Sequence, residues 1–193
     1  MKSKLIFNII FLLAFCSKDN KICEEAYKDE LAGNKSKALY LYSTVLKGNP
    51  KHGFANRRTG FLLSESSDSI YVAIYHLEMA KKENPDDLEV ATKLIDDYVL
   101  AGQLEKMRKM LNLEGEKFPP ETLRFLENLY LCITDRKISN DSTVIKSILS
   151  YNNPNTENII YRSKAKCLKR VGLDKEADNL QEKYTNYKVK NKL

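Results

Sequence analysis

The chain has 193 residues, of which 42% are hydrophobic and 30% charged, and its formal net charge is +6. That hydrophobic content can bury a core, which argues against wholesale disorder. The positive excess lies at the ends, in Lys2 and Lys4 and in the four lysines of residues 183–193, so the body between them is neutral. A neutral body is a poor match to a nucleic-acid-binding protein.

Residues 1–16 have the order of features that is typical of a bacterial export signal. Two lysines precede an eleven-residue, mostly apolar run from Leu5 to Phe15. A membrane-spanning helix needs about 20 apolar residues, so this run is too short for a stable anchor and favours a signal sequence. The alternative interpretation is a buried first helix of the fold.

The end of this segment, Leu13-Ala14-Phe15-Cys16, resembles the bacterial lipobox, in which the cysteine is diacylated and becomes the new N-terminus. Phe15 departs from the usual Gly, Ala or Ser. The resemblance implies a lipoprotein signal peptide over residues 1–15 and lipid attachment, by palmitate or a similar acyl chain, at Cys16. A rival cleavage releases a soluble periplasmic chain from Ser17.

Four prolines divide the rest of the chain at nearly constant spacing. Pro50, Pro85, Pro119 and Pro154 are 35, 34 and 35 residues apart. A period of this length predicts a stack of helical hairpins, each packed on its neighbours. We expect one uninterrupted array without a dividing linker.

The first period shows the pattern that the others repeat. Gly33 suits a left-handed turn, and Ala38 is small where two helices approach closely. Tyr42 and Val45 continue the same helix face, and Pro50 lies where the helix must end. The frame recurs at Asp68, Ala73, Leu77, Ala80 and Pro85, at Gly102, Met107, Leu111, Glu114 and Pro119, and at Gly172, Ala177, Gln181 and Tyr184.

This pattern resembles the tetratricopeptide repeat (TPR) family over almost all of residues 18–187. The resemblance implies an all-α, right-handed superhelix, or α-solenoid, of about five hairpins. The units cover about residues 18–50, 51–85, 86–119, 120–154 and 155–187, and a basic tail covers residues 188–193. The predicted helices lie near 20–32, 35–48, 51–64, 69–83, 87–101, 104–117, 121–136, 142–151, 156–171 and 174–187, with Asp86 and Asp141 as candidate caps.

The fourth unit departs most from the family. Lys137, Ser142 and Lys146 fill the places of Gly, Ala and an aromatic residue. We therefore expect its second helix to pack in a shifted register. The expected contact residues are Val144, Ile145, Ile148 and Leu149.

Cys23, Cys132 and Cys167 form an odd set without a C-x-x-C motif, so no complete pairing is possible. Cys132 and Cys167 occupy matching places in successive first helices. Because neighbouring helices pack about 8–10 Å apart, we expect their Cα atoms to exceed the ~7 Å limit for a disulfide. We predict that both are buried, unpaired apolar residues.

Signals for catalysis or metal binding are absent from the sequence. His52 and His76 have no partners at metal-ligand spacing, and no glycine-rich phosphate loop is present. The pairs Asp86-Asp87 and Asp96-Asp97 are typical of a helix start and a solvated polar face. We therefore predict a protein that is not an enzyme and that carries no metal or cofactor.

The resemblance implies that the first helix of each hairpin lines a concave groove that binds a partner protein or peptide. The groove positions carried over are Tyr27, Glu30, Arg58, Leu62, Glu65, Thr92, Asp96, Val99, Arg124, Glu127, Leu131, Ile159, Arg162, Lys166 and Lys169. The last three basic residues share one helix face, and Arg124 could join them. Our hypothesis is that they receive an acidic or C-terminal carboxylate segment; a solvated helix face is the alternative.

The sequence thus predicts a non-catalytic interaction scaffold, held by lipid on a bacterial envelope membrane and facing the periplasm or the cell surface. A soluble adaptor without a lipid anchor is one alternative. A second is an RNA-binding helical repeat protein, which the neutral body opposes.

Overall fold

A computed structural model describes residues 18–135, 137 and 141–190 of the chain, and the regular structure of these residues is helical. The first helix, α1, covers residues 18–31. The following helices are α2 (Lys35–Gly48), α3 (Gly53–Leu63), α4 (Ile70–Glu83), α5 (Leu88–Leu100), α6 (Leu104–Glu114), α7 (Pro120–Thr134), α8 (Ser142–Ser150), α9 (Pro154–Arg170) and α10 (Asp174–Lys190). Short 3₁₀ turns, Ser67–Ser69 and Gly115–Lys117, lie before α4 and after α6.

The helices of the described chain pair in order into five hairpins, as the proline spacing predicts. Helix α3 packs on α4, α5 on α6, α7 on α8 and α9 on α10, and a separate apolar cluster joins α1 to α2. The helix ends agree with the predicted ones to within about three residues, which is the usual uncertainty of helix ends. The all-α solenoid of TPR-like hairpins is therefore confirmed.

Glycine forms the turn inside the first, third and fifth hairpins. Gly33, Gly102 and Gly172 have φ angles of +84°, +72° and +78°, which other residues rarely adopt. After each glycine the chain closes the helix with the same backbone hydrogen bond, as from Gln103 N–H to Tyr98 O at 2.7 Å. This local geometry is what the frame glycines predicted.

Small residues let the helices approach closely. Ala38, Ala73 and Ala177 are completely buried at equivalent frame positions. In the second hairpin, Gly60 does the same from α3: a Cβ atom there would lie 2.6 Å from Cγ of Leu77 on α4. A contact this close leaves no room for a side chain at Gly60, so this glycine permits the close packing of α3 on α4.

One predicted cap is correct and one is displaced by a residue. Asp141 caps α8 as expected. Helix α5 is capped by Asp87, whose Oδ1 accepts the N–H of Val90 at 2.9 Å, whereas Asp86 forms an ion pair with Lys117 at 2.8 Å. Adjacent aspartates cannot be separated by sequence pattern alone, because either could lie at the first turn.

The second helix of the fourth hairpin packs through a narrower face than predicted. Val144 and Ile148 are buried, but Leu149 is 43% exposed, so its predicted core contact is wrong. Helix α8 has only nine residues, and two buried positions four residues apart are all that so short a helix contributes to the core.

The first helix of the fifth hairpin makes a contact that an extended array would not contain. Helix α9 packs on α7, its predecessor among the first helices, and also on α5 of the third hairpin. Ser163 of α9 is fully buried against Asp96 of α5, and the small serine permits the close crossing. The last hairpin thus folds back onto the middle of the array.

Cys132 and Cys167 form a disulfide between α7 and α9, so the prediction that they are unpaired is wrong. Their Cα atoms are 5.9 Å apart, within the normal range. The prediction used the distance between helix axes, about 8–10 Å, but each Cα lies about 2.3 Å from its axis, so facing Cα atoms can approach to about 3.5–5.5 Å. Cys23 is a buried free thiol, and burial raises its pKa to about 11.

Replacing both Cys132 and Cys167 with serine is expected to lower the free energy of unfolding by about 3–4 kcal/mol, because a disulfide spanning 35 residues restricts the unfolded chain. Urea unfolding with and without reductant measures the loss. Reductant should destabilise the parent chain and leave the double variant unchanged. Equal stability of the two proteins under oxidising conditions would contradict the disulfide.

Candidate functional site

The inner wall of the array contains a half-open cavity of about 660 Å³. It lies mainly between the first helices α1, α3, α5 and α9. Lys35 of α2, the start of α7 with the loop before it, and Tyr184 of α10 also contribute to its lining. Its size is typical of sites that bury a small ligand or a short stretch of peptide. The first helices therefore form the concave surface in the way that the TPR resemblance implied.

About half of the predicted groove positions line this cavity. They are Tyr27, Glu30, Arg58, Leu62, Glu65, Thr92, Ile159 and Arg162. Asp96 and Val99 are buried beneath α9 instead. The cavity lining does not include Arg124, Glu127, Leu131, Lys166 or Lys169.

At one end of the cavity, Arg58 of α3 is fixed by Glu30 of α1. The guanidinium donates two hydrogen bonds to the carboxylate, one of them from Nε at 3.0 Å, and Tyr42 OH donates a third at 3.1 Å. Burial opposes the charge on Arg58, but the bonds to Glu30 outweigh it and raise the arginine's pKa. The guanidinium also lies 5.2 Å from the centre of the Tyr27 ring.

At the other end, Arg162 of α9 meets two fully buried carboxylates of α5. Its Nη2 donates to Asp96 at 2.8 Å and to Asp97 at 3.1 Å. Its Nη1 donates to the backbone oxygen of Ser64 at 2.6 Å, which joins α9 to the end of α3 as well. Lys93 contributes a second cation, 3.1 Å from each carboxylate.

The environments of the two carboxylates differ. Burial would raise the pKa of Asp96, but Lys93, Arg162 and a 2.6 Å hydrogen bond from Ser163 outweigh it and lower that pKa. Burial dominates at Asp97, aided by the neighbouring charge of Asp96, and raises its pKa. The prediction that this pair lies on a solvated face is wrong, because α9 covers it. A sequence signal existed: the two acids interrupt the otherwise apolar second half of α5.

The predicted basic cluster does not form a set of available cations. Arg162 is held by α5, and Lys166 donates to the backbone oxygen of Val99 at 2.8 Å. Lys169 forms an exposed ion pair with Asp178 at 3.0 Å. Arg124 is exposed and has no ion pair to any described residue. The binding role itself stays a prediction, but the internal partners do not favour capture of a carboxylate by these side chains together.

Within residues 18–135, 137 and 141–190, no group of three or more His, Cys, Asp and Glu side chains is arranged to hold a metal ion. None of the described helices is long and apolar enough to cross a membrane. Cys16 and the apolar run before it lie outside the described residues. The lipid-attachment prediction is therefore not tested by the structure.

Solved structures of MamA have a similar fold. MamA MSR-1, in its C2 crystal form, aligns with a TM-score of 0.50 and 17% identity over 86% of this chain and 98% of that one. MamA AMB-1, in its P212121 form, gives 0.49 and 18% over 85% and 95%. MamA is a TPR-like α-solenoid, so the first likeness supports that fold here. No protein-family profile and no curated protein sequence matches the chain.

Arg162→Gln is expected to lower the free energy of unfolding by about 3 kcal/mol, because it leaves Asp96 and Asp97 buried with only Lys93 to offset their charge. Lys169→Gln, on the same helix but in an exposed pair, is the matched control and should change stability little. Urea unfolding of both variants tests this. Similar effects of the two substitutions would show that α9 is not held on α5 by this contact.

Proposed function

We propose that this protein is a non-catalytic scaffold that holds a segment of a partner protein in the cavity of its concave wall. The observation that carries the proposal is the cavity itself, which is bounded mainly by α1, α3, α5 and α9 and whose lining residues come from all five hairpins. Its charged groups are held in structural ion pairs. A nucleophile beside a base, which catalysis would need, is not found among the lining residues.

We further propose that the scaffold is exported and attached by lipid at Cys16 to a bacterial envelope membrane. The order of charged, apolar and lipobox-like residues in the first sixteen positions supports export. The Cys132–Cys167 disulfide is a second, independent support, because such bonds persist in oxidising compartments and are rare in the cytosol. A neutral body continues to argue against the RNA-binding alternative.

Partner capture is testable by site-specific photo-crosslinking in native envelopes. A benzoylphenylalanine placed at Leu62, in the cavity wall, is expected to capture a protein, whereas the same group at Leu113, a 71% exposed residue of α6, is the control. Capture at Leu113 but not at Leu62 would contradict the proposal. A crosslinked product that ribonuclease removes would favour the RNA-binding alternative.

Lipid attachment is expected to incorporate labelled palmitate and to require Cys16. Cys16→Ser should lose the label and move the protein from the membrane fraction to the soluble fraction. Cys23→Ser is the control and should keep the label, because that thiol is buried in the fold. Absence of label from the parent chain would support the soluble adaptor instead.

A further inference from the structure

We propose that the cavity receives an extended, uncharged segment with apolar side chains, and not an acidic or carboxylate-terminated one. This inference rests on the proposed function and specifies the chemistry of the partner at the same site. Three features of the lining carry it: the pairing of every charge, the apolar surface between the charges, and an amide group without a hydrogen-bond donor.

Each charged side chain that lines the cavity already has a partner within the described protein. Lys35 pairs with Glu65 at 2.6 Å, and Arg58 pairs with Glu30. Glu89 is held by Arg57 of α3. The remaining two lining cations, Lys93 and Arg162, share the two buried aspartates of α5. The lining therefore presents no unbalanced charge for a ligand of either sign.

A ligand carboxylate would have to displace one of these internal partners. At Arg58 it would displace Glu30, which is only 9% exposed and would remain buried without its cation. Leaving a buried charge unpaired costs more than one new ion pair of the surface type returns. The first turn of α9 also lies at the cavity and would weakly favour an anion, but Asn153 already caps it. The balance is against an acidic segment.

Apolar side chains occupy the space between the ion pairs. Phe61 and Leu62 of α3, Phe118 before α7 and Ile159 of α9 all contribute to the lining. At the α1 end, Tyr27 and Leu31 are 38% and 51% exposed. A partner that covers such surface gains free energy in proportion to the apolar area removed from water. The attraction that the cavity offers is therefore mainly hydrophobic.

The wall formed by α9 supplies hydrogen-bonding groups for a peptide backbone. Asn158 lines the cavity, and its Oδ1, shielded from water, accepts no hydrogen bond from the described residues. A buried acceptor without a donor is destabilising, and a ligand N–H that reached Asn158 would relieve this cost. A helix satisfies its own backbone N–H groups, whereas an extended segment has them available. The unpaired acceptor therefore favours an extended segment.

Three pools of capped peptides distinguish the possibilities. In each pool, every second position is apolar and randomised among Leu, Ile, Val and Phe. The positions between them are Ser or Gln in the uncharged pool, Glu in the second pool and Lys in the third. The uncharged pool should be retained on the immobilised protein about tenfold more than either charged pool, because those would bury an unpaired charge. Raising the salt concentration should not weaken this retention. Preferential, salt-sensitive retention of the Glu pool would overturn the inference.

Variants of lining residues test whether the retained peptides bind in the cavity. Ile159→Glu should reduce retention of the uncharged pool at least about tenfold, and Asn158→Ala about fivefold, as expected for a lost hydrogen bond. Arg124→Glu, an equally drastic exposed change outside the cavity, is the control and should have no effect. A melting curve of each variant checks that it is folded. If no pool is retained while crosslinking at Leu62 captures a partner protein, this inference fails and the proposed function stands.

Discussion

The contact of Arg162 with Asp96 and Asp97 joins two hairpins that are not neighbours along the chain. In an extended array the fifth hairpin has no reason to contact the third. The two buried carboxylates give it one, because they need a cation and a hydrogen-bond donor from α9. Helix α9 thereby packs on α5, and its residues form one wall of the half-open cavity.

Local features of the fold could be predicted from the sequence because they depend on residues close together in the chain. The turns at Gly33, Gly102 and Gly172 and the buried alanines of the second helices follow from backbone conformation and helical spacing. The contact of α9 with α5 could not be predicted in this way. It joins residues 66 positions apart, and no repeat frame contains it. The disulfide was missed for a different reason: the matching positions were recognised, but the wrong distance was applied.

The candidate site likewise has local features that the sequence predicts and a tertiary contact that it does not. Spacing within α1, α3 and α5 correctly places Tyr27, Arg58 and Thr92 on the inner wall. On α9 the spacing correctly groups Arg162 with Lys166 on one face, yet that face is turned toward α5. Charge alone therefore does not decide the role of this face, since a basic stripe on a helix can pair with a buried acidic pair as well as with an external ligand. Which of the two applies depends on tertiary contacts.

The disulfide has a consequence for the fourth hairpin, the least regular of the array. Cys132 and Cys167 close a covalent ring that contains all of α8 and both of its connections. Cleavage of the peptide backbone anywhere inside that ring would leave the two fragments joined. Substitution or insertion in α8, or local unfolding of that helix, would therefore not separate the last hairpin from the rest. The least regular hairpin is thus the one in which the disulfide limits the effect of local unfolding on the rest of the array.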